Sequence, residues 1–412
     1  APLPVLSFTI YKLSRIINIR STAVQEMLSK MSSFAQESFS GISVIKSYNL
    51  QTSMQSGFNG LVTESYDKNM QLVKVQSWFF PLMILLIGFS NLIVIYIGGN
   101  QYIQGEIEIG VLAEFIIYVN MLTWPVAVVG WVTSIVQQAE ASQKRINAFL
   151  KEVPEIFDGA GVQDTIVGNI HFKDVSLYYP ETEIEALKKI NFQLAPGQTL
   201  GILGKIGSGK STLLDLLARL YDPSSGSIEL DGHDLKHFKL ERLRSWIGYV
   251  PQNAFLFSET IADNIRFGNK DASEEEVIQA AKNAVVHENI VNFAEGYKTL
   301  LGERGITLSG GQIQRVAIAR ALIKNPKILL LDDCLSAVDT DTEELILRNL
   351  KGICADKTTL IVSHRISSIK HADLILVLEN GEIIQQGKHR ELALKAGYYK
   401  DLNEKQQSQR SK

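Results

Sequence analysis

The chain has 412 residues, too many for one ordinary domain and enough for two or three. Its formal net charge is −3, so no global basic field points to nucleic acid. Hydrophobic residues make up 45% of it, yet the long uncharged runs all fall before residue 135, which separates an apolar first part from an ordinary remainder.

Residues 1–10 are apolar and end against Lys12, Arg15 and Arg20, as a membrane helix does where it leaves the bilayer on its positive side. The start carries Ala1 and no signal-peptide pattern. Residues 13–40 place Ile16, Ile17, Val24, Met27, Met31 and Phe34 at helical intervals, which predicts an amphipathic helix in a bundle. Gly41 interrupts it, and a short apolar piece, Ile42 to Leu50, follows. A second long helix is predicted from near Gln51 to about Gly98. Within it, Phe79 to Gly98 is uncharged for 20 residues, enough to cross the hydrocarbon core. The whole helix would be about 70 Å long, so it must project past the membrane on the side of Lys68 and Lys74. Pro81 is the expected place for a kink.

Gly99 to Gly110 reads as a short loop with Glu106 and Glu108 but no Lys or Arg. Lys30, Lys46, Lys144, Arg145 and Lys151 lie at the opposite ends. The positive-inside rule then puts the loop outside and the extensions in the cytoplasm. Val111 to Val136 is the next span, broken by Glu114 and Pro125; Glu114 lies a turn from the outer end and reads as interfacial. Polar helix continues to about residue 152. Pro154, Gly159, Gly161 and Gly168 mark 151–168 as a linker. Residues 169–403 alternate short β-branched strands, turns and helices, an α/β domain. Residues 404–412 are a polar tail, expected to be disordered.

The chemistry lies in the second domain. Gly204-Lys205-Ile206-Gly207-Ser208-Gly209-Lys210-Ser211 fits the phosphate-binding loop and sits between an apolar strand and a leucine-rich helix, the context that motif needs. Gly204, Gly207 and Gly209 allow backbone angles closed to other residues, so the loop can turn its N–H groups onto phosphate oxygens. Lys210 would neutralise the terminal phosphates and Ser211 would offer its hydroxyl to Mg²⁺. Gln252 ends an apolar strand. Leu308-Ser309-Gly310-Gly311-Gln312 precedes an apolar helix, with Ser309 as its cap and glycines that let a phosphate approach. Lys327 to Asp333 is an apolar strand ending in Asp332 and Asp333, the first placed for Mg²⁺ and the second for the attacking water. His364 follows another apolar strand. Read singly, these last features also suit a capped helix, solvated acids and a structural histidine. Cys334 and Cys354 lack metal-ligand spacing and read as packed thiols of a reducing compartment.

Taken together and in this order, the motifs resemble the nucleotide-binding domain of ATP-binding cassette (ABC) proteins. Membrane helices ahead of the cassette look like a half-size ABC exporter of the bacterial multidrug and lipid type. The resemblance implies a partial α-helical transmembrane bundle over 1–150, the last part of a six-helix domain, then an α/β P-loop ATPase domain with a helical subdomain. It assigns nucleotide contacts to Tyr179 (with Tyr178 as rival for the adenine ring), Gly204, Gly207, Ser208, Gly209, Lys210, Ser211 and Thr212. Gln252 would sense Mg²⁺ and the attacking water, with Ser211 and Asp332 as the other metal contacts. Catalysis would fall to Asp333, His364, Gln252 and Lys210. Ser309, Gly310, Gly311 and Gln312 would contact the ATP held by a partner cassette, and Asp339 would lie across that interface. Gly302-Glu303-Arg304-Gly305 resembles the loop that touches the membrane helices, and residues 43–50 look like a coupling helix with Tyr48 near its tip, docking on the partner's cassette. The implied cofactors are ATP and Mg²⁺. The implied partners are a second half-transporter, a bilayer and a hydrophobic or amphipathic cargo, with no nucleic acid. The implied place is the inner or plasma membrane, multi-pass, with the cassette in the cytoplasm.

Two departures stand out. The family usually has glutamate where this chain has Asp333, a carboxylate short by about one C–C bond, and such misplacement can cost about 10²-fold. The pattern resembles the weak-site subunit of heterodimeric exporters; a homodimer with a working Asp333 and a regulatory subunit of little turnover are the alternatives. Second, only two complete spans and the end of another are seen, matching helices four to six. Such a set alone should not form a translocation pathway, because unmatched helices leave faces without partners. A soluble cassette acting on nucleic acid or ribosomes would share the motifs, but the spans and the lack of a basic stripe count against it. The cargo is not legible: Phe79, Phe80, Tyr96, Tyr118 and Trp124 suit lipid or helix packing as well as a pathway.

Overall fold

The computed structural model describes residues 2–161, 165–180, 182–302 and 308–410. They divide into two compact units, residues 1–153 and 154–412.

The first unit is four helices: α1 (Pro2–Ser40), α2 (Ile42–Ser47), α3 (Gln51–Ile103) and α4 (Ile109–Leu150). α1 lies along α3, with Met27 and Leu72 buried, and Phe34 and Phe58 tilted ring against ring at 6.1 Å. Among the described residues, α3 is long and apolar enough to cross a membrane, and α4 adds a shorter apolar stretch over Ile109–Leu122. The expected end of α3 at Gly98 is corrected. The helix runs on through Gly98 and Gly99 and stops at Ile103, so the connecting loop is only residues 104–108. Gly98 serves packing instead: a Cβ there would stand 2.6 Å from Leu112 of α4. The real stop is Gly105, at φ +74° in the left-handed region that ends helices. Pro81 sits inside α3 without breaking it.

The second unit opens with a strap over residues 154–161. Gly159 and Gly161 donate to the carbonyls of Phe238 and His237, and Arg219 donates to the Phe157 carbonyl. Then come β1 (Ile170–Tyr179), β2 (Ile184–Leu194), β3 (Thr199–Gly204), α5 (Lys210–Leu217), β4 (Ser225–Leu230), β5 (His233–Asp234), α6 (Leu240–Ser245) and β6 (Ile247–Val250). A mainly helical stretch follows: α7 (Ile261–Arg266), α8 (Glu274–Asn283), α9 (His287–Val291) and α10 (Gly310–Ile323). The chain closes with β7 (Ile328–Asp332), α11 (Thr340–Ile353), β8 (Thr358–Val362), α12 (Ile366–Ile369), β9 (Leu374–Glu379), β10 (Glu382–Gly387), α13 (His389–Leu392) and α14 (Tyr398–Arg410).

The strands form two sheets. An antiparallel sheet runs β2-β1-β4-β5, and a six-stranded sheet runs β10-β9-β3-β8-β7-β6. In the second, β3, β6, β7, β8 and β9 are parallel and only β10 is reversed. Parallel strands are covered on both faces, which is why Ile328–Leu331 and Leu374–Leu378 read as unbroken apolar runs. Alternate residues serve two cores. Leu200, Ile202, Leu330, Leu360 and Leu376 face the antiparallel sheet and α5, while Leu329, Leu331, Ile361 and Val377 face α8, α10 and α11. The expected disorder of 404–412 is also corrected as far as Arg410. Tyr399 is buried and Tyr398 and Leu402 pack on the core, so α14 borrows an apolar face that its own composition lacks.

Arg320 of α10 ties the helical stretch together. It donates to the carbonyls of Asn264 and Phe255 at 2.8 Å each and to Asn264 Oδ1 at 2.9 Å. Replacing it by alanine strands those acceptors, so Arg320→Ala is expected to lower stability by roughly 2–4 kcal/mol, read from denaturant unfolding.

Candidate functional site

The carboxyl ends of parallel strands share one edge of a sheet, and ligands of such sheets bind there. At this edge β3 runs into the phosphate loop, β6 into Gln252, β7 into Asp332 and Asp333, and β8 into His364. Pairing of Val250 with Leu331 and of Asp332 with Val362 sets these ends side by side.

The loop closes on its own lysine. Gly207 and Gly209 have φ of +78° and +92°, and a Cβ on Gly209 would stand 2.4 Å from the Ala186 carbonyl. Glycine is required at both for the backbone angle and at the second for space as well. Lys210 opens α5, is buried, and donates to the carbonyls of Gly204 at 3.0 Å and Lys205 at 2.7 Å. Burial draws its ammonium pKa down, while the charges of Asp332 and Asp333 push it back up. Ser208 Oγ is buried and has no hydrogen-bond partner among the described residues. An orphaned hydroxyl in a loop of inward-turned glycines is what an incoming phosphate oxygen would satisfy.

Asp332 is almost fully buried. Burial pushes its carboxyl above the usual carboxylate range, opposed by a hydrogen bond from Ser211 and by the Lys210 charge. Asp333 is buried too and takes φ +42°, in the left-handed region that aspartate tolerates better than most residues. Its N–H donates to the Val362 carbonyl at 3.0 Å, and its own carbonyl accepts from the Ser336 hydroxyl at 2.8 Å. Gln252 follows β6 on an exposed bend. His364 is half-buried just after β8. Of the two tyrosines, Tyr179 turns to the loop, its hydroxyl donating to Thr212 Oγ1 at 3.4 Å and its ring edge-on to Tyr221, whereas Tyr178 is exposed.

The Leu-Ser-Gly-Gly-Gln stretch caps α10. Ser309 Oγ accepts from the Gln312 N–H and Gln312 Oε1 accepts from the Ser309 N–H, a reciprocal capping box. Gly310 is exposed at the helix start, and Gly311 is pressed on the next loop, where a Cβ would meet the Ala337 carbonyl at 2.8 Å. Asp339 caps α11 and its carboxyl is held below the usual range by the Thr342 N–H. Glu303, Arg304 and Gly305 lie outside the described residues.

Three residues near this edge escaped the sequence reading. Asp215 of α5 accepts from the Tyr249 hydroxyl at 2.9 Å, and burial raises its pKa. Gln314 joins α10 to the Ser336–Asp339 loop through Ser336 Oγ and the Ala337 N–H. Glu343, almost wholly buried, accepts from Arg365 and from the Ser368 hydroxyl, which links α11 to the segment after His364. A signal existed for Glu343: it shares the buried stripe of α11 with Ile346 and Leu350, where a carboxylate must find a partner.

Both units match known protein families. Residues 187–336 match the family described as "ABC transporter", and residues 1–126 match "ABC transporter transmembrane region". Over 98% of its length the chain is 40% identical to a probable multidrug resistance ABC transporter ATP-binding/permease protein, YheI of Bacillus subtilis, covering 70% of that protein. The chain belongs to the ABC transporter family. It is also 38% identical to the multidrug resistance-like ATP-binding protein MdlA of Escherichia coli, over 98% of this chain and 69% of that one. A solved bacterial Atm1-family ABC exporter with ATP bound overlays with a TM-score of 0.87 at 29% identity, over 98% of this chain and 72% of that one. This ABC chain is therefore a subunit of a half-size, membrane-located exporter that binds ATP and couples its hydrolysis to transport.

Because Asp332 carries a raised pKa, its contribution to folding stability is fully present below the ordinary carboxylate pKa and is lost as pH rises through the raised value. Asp332→Asn is thus expected to raise the melting temperature of the nucleotide-free protein near neutral pH by a few degrees, with the gain vanishing in acid, measured by thermal unfolding across pH.

Proposed function

We propose that this chain is the weak-site subunit of a heterodimeric ABC exporter. The observation that carries the reading is the short carboxylate of Asp333 at the end of β7, on a backbone held at both its N–H and its carbonyl. A carboxylate fixed in this way has little freedom to make up a missing methylene, so it falls short of where a glutamate would hold the attacking water. Intact Lys210, Gln252 and His364 favour a second reading, a homodimer in which Asp333 works slowly.

In either case the roles are the same. Backbone N–H groups of Gly207, Ser208 and Gly209 cradle the phosphates, Lys210 leaves its two carbonyls for the terminal phosphates, and Thr212 and Tyr179 bound the nucleotide side, Tyr179 offering its ring to adenine. His364 contacts the γ-phosphate. Mg²⁺ fits the donor set: a hydroxyl, a carboxylate and an amide oxygen, from Ser211, Asp332 and Gln252, suit an ion that keeps waters and takes phosphate oxygens. When bound it would neutralise charge on the phosphates. Ser309, Gly310, Gly311 and Gln312 complete the partner's site, because the α10 start is exposed and its dipole favours an anion. Each ATP then touches both cassettes, so binding favours the closed dimer and loss of the γ-phosphate lets it open. Residues 43–50 dock on the partner's cassette and pass the movement to the membrane helices. The cassette faces the cytoplasm of an inner or plasma membrane, since the basic residues flank the long helix extensions. The cargo is hydrophobic or amphipathic, in line with the multidrug names of the relatives.

The test is steady-state ATPase activity of the full-length protein alone in lipid, beside Asp333→Glu and Asp333→Asn. The expected outcome is negligible turnover for the natural chain, a gain of up to about 10²-fold for Glu, and no change for Asn. Brisk natural turnover abolished by Asn would establish the homodimer instead.

A further inference from the structure

The last helix is polar, and its anchors sit near its start: Tyr398, Tyr399 and Leu402. One turn beyond Leu402, on the same face, comes Gln406. Its side-chain amide bonds the backbone beside His364 with both its nitrogen and its oxygen. Nε2 donates to the His364 carbonyl at 2.8 Å, and Oε1 accepts from the Ile366 N–H at 2.9 Å. Those two groups lie just past the end of β8, where the sheet ladder has stopped. The Ile366 N–H is also the first of α12, whose cap residue, Arg365, makes no side-chain capping bond. Gln406 therefore stands in for both a missing strand neighbour and a missing cap. Between its two bonds lies Arg365, whose guanidinium reaches Glu343 and the Val338 carbonyl. The peptide planes on either side of Arg365 are thus held by α14, the first also through the Arg365 N–H donating to the Ser363 hydroxyl at 3.0 Å, and the arginine itself by α11.

We infer that Gln406 is a positioning residue for His364: the C-terminal helix sets the backbone from which that histidine reaches the γ-phosphate. The inference rests on the reading of His364 as the γ-phosphate contact. Without the Gln406 amide the His364 carbonyl and the Ile366 N–H would seek water, and the peptide between β8 and α12, left with the Ser363 contact at its N–H, would tilt. The phosphate loop and Lys210 are untouched by that tilt, so contacts to the α- and β-phosphates stay. Loss of Gln406 should therefore weaken ATP-like ligands and spare ADP.

The test uses the full-length assembled exporter in lipid nanodiscs. Photolabelling of this chain by 8-azido-ATP is competed with AMP-PNP or with ADP, which reads affinity at this chain's own site without relying on turnover. Gln406→Ala keeps helix propensity and removes both bonds. It is expected to weaken AMP-PNP about fivefold and ADP by less than about twofold. Gln406→Glu keeps the acceptor for Ile366 but sets a carboxylate against the His364 carbonyl, and should show the same selective loss. Lys405→Ala, on the exposed side, should change neither competitor. His364→Ala should lose AMP-PNP affinity by about tenfold, and adding Gln406→Ala to it should weaken binding no further. Equal loss of AMP-PNP and ADP, or loss that adds to that of His364→Ala, would mean a merely structural helix and overturn the inference alone. So would unchanged AMP-PNP affinity in Gln406→Ala while His364→Ala is impaired. An unchanged AMP-PNP to ADP ratio in His364→Ala would overturn the γ-phosphate reading, and the inference with it.

Discussion

A lysine ammonium held out of water is the constraint around which the ATPase unit is built. Lys210 cannot be buried without partners, and the loop supplies them from its own backbone, two carbonyls within 3.0 Å. That arrangement needs the left-handed turns at Gly207 and Gly209 and the close approach to Ala186, so the glycines follow from the charge. The charges of Asp332 and Asp333, at and just past the end of β7, offset part of that burial. On the proposed reading, a polyphosphate takes the place of those two carbonyls when the nucleotide binds.

The carboxyl edge is then a set of loops held to one another rather than to solvent. Asp333 is fixed to Val362 and Ser336, Gln314 joins α10 to the loop after β7, and Glu343 joins α11 to Arg365. Signature helix, acidic strand and histidine segment are thus one hydrogen-bonded body. In such a body a movement at one loop has hydrogen-bonded routes to the start of α10 and to α11. The membrane unit follows different physics: α1 and α3 pack through Met27, Leu72 and Phe34, and Gly98 lets Leu112 of α4 come close.

Family and fold class were legible in the sequence, because each motif is local: a glycine-rich loop, an apolar strand with acids at its end, a capped helix. The long helices were legible from uncharged runs. Their ends were less so. Gly98 and Gly99 look like helix breakers, yet a glycine inside a helix is tolerated where another helix leans on it, and the actual stop at Gly105 is marked by backbone angle, not by letter. The tail misled for a related reason: its composition predicts disorder, while Tyr398, Tyr399 and Leu402 find a core belonging to other elements.

By itself, then, the sequence determined the family, its ATP-binding class and the presence of membrane helices, since all of these depend on residues close together in the chain. Only the tertiary structure decided which side chains hold those motifs in place. Glu343 lies 22 residues from Arg365 and Gln406 lies 42 from His364, separations across which no periodicity or spacing rule operates. Such contacts exist because two helices happen to pack at one sheet edge, and packing is a property of the whole fold.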